Sequence, residues 1–207
     1  MVWEASVGAV RTLVLLALVV TVTLAACGPR SPASQPDDGA RSTPSGVAAP
    51  DDCRVDAGLD EVPGLHPSVD SYPAITVVLA SPDGGCRIPL AVRLADSSAR
   101  RAHGLMEVPE LPAGTGMLFT YPDADGERTG GYYMKNTLVA LDIAYLAADG
   151  TVVDIRAMQP CVEDDLAAGQ GCPTYPPDMP YHAALEVPQG WFETVGVTEG
   201  WVVTVQR

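Results

Sequence analysis

The sequence predicts a mainly β protein: a β-sandwich or jelly-roll-like single domain with one or two short helices. Short runs rich in Val, Ile, Leu and Tyr recur from residue 74 to the C-terminus. Turn signals separate them, among them "SPDGG" (81–85) and "ADG" (148–150), whose Gly and Asp supply the backbone angles a tight reversal needs. Helix signals are confined to two short stretches. "SSARRAHGLM" (97–106) opens with a Ser able to cap a first turn, and "GWFETVG" (190–196) suits a single helical turn.

In chain order, "AITVVLA" (74–80) and "RIPLAVRLA" (87–95) form the first strand pair. "GMLFTY" (116–121) and "GYYMKN" (131–136) follow the helix and flank the loop "PDADGERTG". "LDIAYLA" (141–147) and "TVVDIRAM" (151–158) bracket the ADG turn as a hairpin. "HAALEVP" (182–188) and "GWVVTVQ" (200–206) complete seven or eight strands.

Ahead of this region lies an address. Residues 13–26, "LVLLALVVTVTLAA", are an apolar run with one cation, Arg11, before it. A spanning helix needs about 20 apolar residues, so the run reads as the core of a signal peptide, residues 1–26. It ends in "LAAC" (24–27), small residues before a cysteine, which resembles a bacterial lipobox and makes Cys27 the expected lipidation site. Two or more acyl chains, palmitate among them, hold a protein stably on a membrane where one is marginal. Residues 28–52 are Pro, Ser, Gly, Ala and Asp without apolar period, a composition that cannot offset its ordering entropy. Cys27 and this tether, 27–52, would hold the folded domain, 53–207, off the extracytoplasmic face of the cell membrane, with a reach of roughly 25–30 Å.

Four further cysteines, Cys53, Cys86, Cys161 and Cys172, suit two disulfides outside the cytoplasm. Three pairings are possible. Sequence proximity favours Cys53–Cys86 and Cys161–Cys172, each stabilising by about 3–4 kcal/mol on the chain-entropy model. There is no C-x-x-C spacing, which argues against zinc.

With 26 acidic against 12 basic residues the net charge is −14, a surface that repels phosphate backbones and argues against nucleic-acid partners. The chain has no G-x-S-x-G, no H-E-x-x-H and no phosphate-binding glycine loop. His66, His103 and His182 share no ligand spacing, the "DADGE" turn (123–127) departs from the calcium-loop pattern, and "EDD" (163–165) reads as a solvated loop. Met106, Met117, Met134, Met158 and Met179 lack a His or Cys cluster beside them and read as core. No metal or cofactor is expected.

Four segments, "RAHGLM" (101–106), "GMLF" (116–119), "MKNTLVALDI" (134–143) and "ALEVPQG" (184–190), together resemble the domain of unknown function 192 family over about residues 74–207. The resemblance implies a small, mainly β exported domain without an assigned activity. It marks Arg101, Met134, Asn136, Thr137, Asp142 and Glu186 among the family's characteristic positions. Departures fall at Ala140, where the family often has Pro, and at Glu107 and Val108, where an aromatic residue and an Arg are usual.

The polar residues of "YYMKNTLVALDI" (132–143) leave two readings open. One is a satisfied polar network that fixes strand register, with Asp142 paired to Arg101 or, second, Lys135. The other is a small pocket lined by Arg101, Tyr133, Met134, Asn136 and Asp142, with Thr137 and Glu186 as further candidate binding residues. The functional expectation is a membrane-tethered, non-catalytic module that binds a small ligand or an envelope protein. The alternative is an envelope glycan- or peptide-acting hydrolase with Asp142 and Glu186 as its acid/base pair, which requires both carboxyls in one cleft.

Overall fold

The computed structural model describes residues 63–122, 126–162 and 171–206. The signal peptide, Cys27, the tether and Cys53 lie outside the described residues, as do most of the DADGE turn and all of "EDD". The first element is α1 (Pro67–Asp70), a single turn with Pro at its start. Then come β1 (Ala74–Ala80), β2 (Arg87–Ala95), α2 (Ser98–His103), β3 (Thr115–Phe119), β4 (Tyr132–Tyr133) and β5 (Leu141–Leu146). The chain continues through β6 (Val152–Met158), β7 (Thr174–Tyr175), β8 (Ala183–Pro188), an α3 turn (Trp191–Val195) and β9 (Val202–Val205). The fold is mainly β, as expected, with three short helices among the described residues. β1 and β2 have the expected limits. "GYYMKN" keeps only two strand residues, and β7 and α1 were not foreseen.

Seven strands form one sheet in the order β6-β5-β8-β3-β2-β1-β9, and β4 pairs with β7 in a separate ribbon. All neighbours in the large sheet are antiparallel except β2 and β3. That parallel pair needs a crossover, and α2 lies in it. The two edge strands meet at one end through a Thr151–Val202 bridge. There the Val152 N–H donates to the Trp201 carbonyl at 2.7 Å and the Val203 N–H to the Gly150 carbonyl at 2.9 Å.

Both faces of the middle strands are covered. One face packs Val77, Leu79, Ile88, Leu90, Leu118, Leu185 and Val187 against Trp191, Phe192 and Trp201. The opposite face packs Met117, Phe119, Ile143 and Tyr145 against Leu105, Val108, Met134 and Tyr181. Every residue of β3 and of β5 is therefore buried, which explains their continuous apolar character where a one-sided strand would alternate. Arg93 of β2 is buried too. Its guanidinium donates to the carbonyls of Pro63, Asp70 and Tyr72 at 3.1–3.2 Å and pairs with the Asp70 carboxylate at 3.4 Å, fastening α1 to the sheet.

Cys161 and Cys172 form the expected disulfide. Cys86 is also disulfide-bonded, to a partner outside the described residues.

Gly116 of β3 sits where a Cβ would lie 2.3 Å from the carbonyl oxygen of Glu186. That approach lets β3 and β8 pair closely. Gly116→Ala should lower unfolding stability by about 3 kcal/mol, read from the urea midpoint at unchanged m-value; an unaltered midpoint would show that the strands can part without loss.

Candidate binding site

Glu186 stands in the middle of β8, between Met117 of β3 and Ile143 of β5. Its neighbours Leu185 and Val187 point into the other face of the sheet, so the strand period sends Glu186 to the face of Met117 and Ile143. It is only 5% exposed. Among the described residues no hydrogen-bond donor or ion-pair partner meets its carboxyl. Burial alone pushes its pKa up from the ordinary 4.5 to about 8.

The carboxyl faces a cavity of about 290 Å³. The end of α2 and the turn after it supply Arg101, His103, Gly104 and Leu105; β3 and its continuation supply Phe119 and Tyr121. Gly130–Tyr133, Thr137 and Tyr181 close the other side. The wall is a cluster of edge-to-face rings: Phe119 on Tyr132 at 5.1 Å, Tyr132 on Tyr145 at 5.9 Å and Tyr145 on Tyr181 at 4.8 Å. Their hydroxyls are used within the protein. Tyr121 and Tyr132 share a hydrogen bond at 2.7 Å, Tyr181 donates to the Gly130 carbonyl at 2.9 Å, and Tyr145 donates to the Tyr175 carbonyl. Burial raises the pKa of Tyr132, Tyr145 and Tyr181, so all three stay neutral. The guanidiniums of Arg101 and Arg128 lie over the Tyr121 ring at 4.6 and 3.6 Å, and Arg101 also donates to the Thr120 carbonyl at 2.8 Å. The His103 Nε2 is buried without a hydrogen-bond partner.

The "MKNT" stretch is mainly architecture. Met134 is core. Asn136 has φ 55°, a left-handed conformation that Asn tolerates better than most residues. Its N–H donates to the Cys161 carbonyl at 2.8 Å, its carbonyl accepts from the Glu107 N–H at 2.9 Å, and the Thr137 N–H closes the turn onto the Met134 carbonyl. The turn is thus docked on the backbone of a stapled cysteine, and it places Thr137 on the cavity wall and Tyr133, 48% exposed, at the rim.

Of the seven residues singled out by sequence, Arg101, Tyr133, Thr137 and Glu186 line this one cavity, and Met134 and Asn136 support it. Asp142 does not belong to it. It alternates with Ile143 along β5 and is opposite Val187, not Glu186. Its Oδ2 accepts from the Gly190 N–H at 2.8 Å, and burial, with nearby Glu193, raises its pKa. Two expectations are corrected. Arg101 is not the partner of Asp142, because each lies on its own side of the sheet. Asp142 and Glu186 are not an acid/base pair, because adjacent antiparallel strands in this register send their side chains to opposite faces. Sequence reasoning left Phe119, Tyr121, Tyr132 and Tyr181 out of the site; the advance signals were Phe119 in the resembling "GMLF" segment and an aromatic pair beside "MKN".

The family model of the domain of unknown function 192, an uncharacterised ACR, matches residues 79–205, more than half of the chain. The chain belongs to this family. Two solved structures resemble this chain in sequence and fold. A protein of unknown function from Novosphingobium aromaticivorans DSM 12444 is 27% identical with a TM-score of 0.56, covering 73% of this chain and 97% of that one. A candidate transcription regulator from Sinorhizobium meliloti 1021 is 27% identical with a TM-score of 0.55, covering 65% of this chain and 95% of that one. No curated protein matches.

The buried acid makes a pH prediction. The folded state keeps Glu186 protonated between the unfolded value near 4.5 and the folded value of about 8, while the unfolded chain releases the proton. Stability attributable to this group is full below the lower value and falls as pH rises, by about 1.4 kcal/mol per pH unit through that window. Glu186→Gln should remove this decline and be the more stable protein at pH 8–9. Equal pH slopes for the two proteins in urea titrations would mean that Glu186 is not a neutral buried acid.

Proposed function

We propose that the domain is a non-catalytic binding module, tethered to the extracytoplasmic face of the cell membrane through Cys27, that takes a small ligand in the cavity over Glu186. One observation carries the ligand reading: a carboxyl 5% exposed, with no partner among the described residues, faces a cavity of about 290 Å³. Leaving a buried polar group unpaired costs about 1–3 kcal/mol, and a ligand that pairs with it recovers that loss. Apolar walls with few convergent polar groups are the usual composition of small-molecule sites, and this volume suits a compact occupant. The tether reading is supported by the apolar run, the "LAAC" sequence and the Pro/Ser/Gly-rich segment after it. The disulfides support an oxidising compartment. Binding to nucleic acid finds little support in a chain of net charge −14.

The test is native mass spectrometry of the full chain purified from membranes in detergent. The expected species lacks residues 1–26, carries a diacylglyceryl group on Cys27, and holds a noncovalent small molecule that is lost on denaturation and absent from Glu186→Gln. An unlipidated chain retaining residues 1–26 would overturn the tether. A bare chain, or an adduct indifferent to Glu186→Gln, would overturn the ligand site.

A further inference from the structure

Resting on the reading that this cavity takes a ligand, the geometry points to its chemical class: a small organic molecule presenting an ammonium group to Glu186. Among the described residues no counter-charge meets that carboxyl. Its strand neighbours are Met117 and Ile143, and the nearest walls are tyrosine rings whose hydroxyls are already engaged with one another or with backbone carbonyls. What Glu186 lacks, among the described residues, is a positively charged partner: the Arg101 guanidinium on the same wall lies over the Tyr121 ring and donates to the Thr120 carbonyl. What it offers besides the carboxyl is aromatic surface, which attracts cations through the ring quadrupole. The chain as a whole, at −14, favours the approach of cations over anions.

Binding of an ammonium ion would displace the carboxyl proton to solvent and leave a charge-assisted pair within the tyrosine wall. The titratable and charged groups facing Glu186 from the surrounding segments are Tyr145 on β5, Tyr132 on β4, Tyr121, Tyr181, and Arg101 and His103 from α2. Burial keeps Tyr132, Tyr145 and Tyr181 neutral throughout the useful range. Arg101 and His103 are retained in Glu186→Gln, so the variant serves as the control for both.

The experiment uses three compounds of nearly equal size on the full chain: isobutylammonium, isobutanol and isobutyrate. Each is titrated from pH 6 to 9 while the backbone amides of Gly104, Gly131 and Thr137 are followed by NMR. The expected result is saturable shifts with isobutylammonium, at least about tenfold tighter than with isobutanol at pH 9. Its affinity should rise about tenfold per pH unit and level off near pH 8, as one-proton release requires. In Glu186→Gln, with folding confirmed by its melting curve, both the preference and the pH slope should vanish. Tighter binding of isobutanol or isobutyrate, or an affinity that falls as pH rises, would overturn the ammonium assignment and leave the cavity reading intact. Absence of any shift with all three compounds would overturn the cavity reading itself.

Discussion

The constraint on which the rest depends is the double burial of the middle strands. β3, β5 and β8 have packed side chains on both faces, so every residue on them must be apolar or must answer for its polarity. Two carboxyls occur there. Asp142 answers with the Gly190 N–H. Glu186 has no such answer among the described residues. That difference separates the carboxyl engaged by the backbone from the one that faces the cavity.

The packing on the Glu186 side is built by segments that are weak on their own. A two-residue ribbon, a left-handed turn at Asn136 and the turn after α2 supply the cavity walls. None would hold its shape without a partner of fixed position. The Cys161 backbone provides that position. It is bridged to Lys135 and Thr137 and stapled to Cys172. Edge-to-face contacts among Phe119, Tyr132, Tyr145 and Tyr181 then join ribbon, turn and sheet into one wall. Gly131 lets the wall come close: a Cβ there would lie 2.5 Å from the Pro176 nitrogen.

Much of this fold was legible in sequence, because strand signals are local. β1 and β2 followed from uninterrupted Val, Ile and Leu bounded by turns, and the β5–β6 hairpin from its ADG turn. α1 and β7 were not legible, since "PSVD" and "TY" are too short to carry a period and owe their form to Arg93 and to β4. The site was half legible. Resemblance marked Glu186 and Arg101, and period-2 alternation places Glu186 opposite its neighbours. Asp142 was misassigned because facing depends on the register between β5 and β8, and register is a property of two strands that one strand's pattern does not contain. The tyrosine wall was invisible for the same reason: its rings come from four separated segments.

The account stands on Glu186 being an uncompensated, neutral acid at physiological pH, and its carboxyl can be observed directly. We would label the side-chain carboxyl carbons of glutamate with 13C and follow the Glu186 resonance, assigned with Glu186→Gln, from pH 3 to 10. A midpoint near 8, far above those of the exposed glutamates, is the result predicted. A midpoint near 4.5 would contradict the account, since a carboxylate that ionises so readily must already have a partner in the protein.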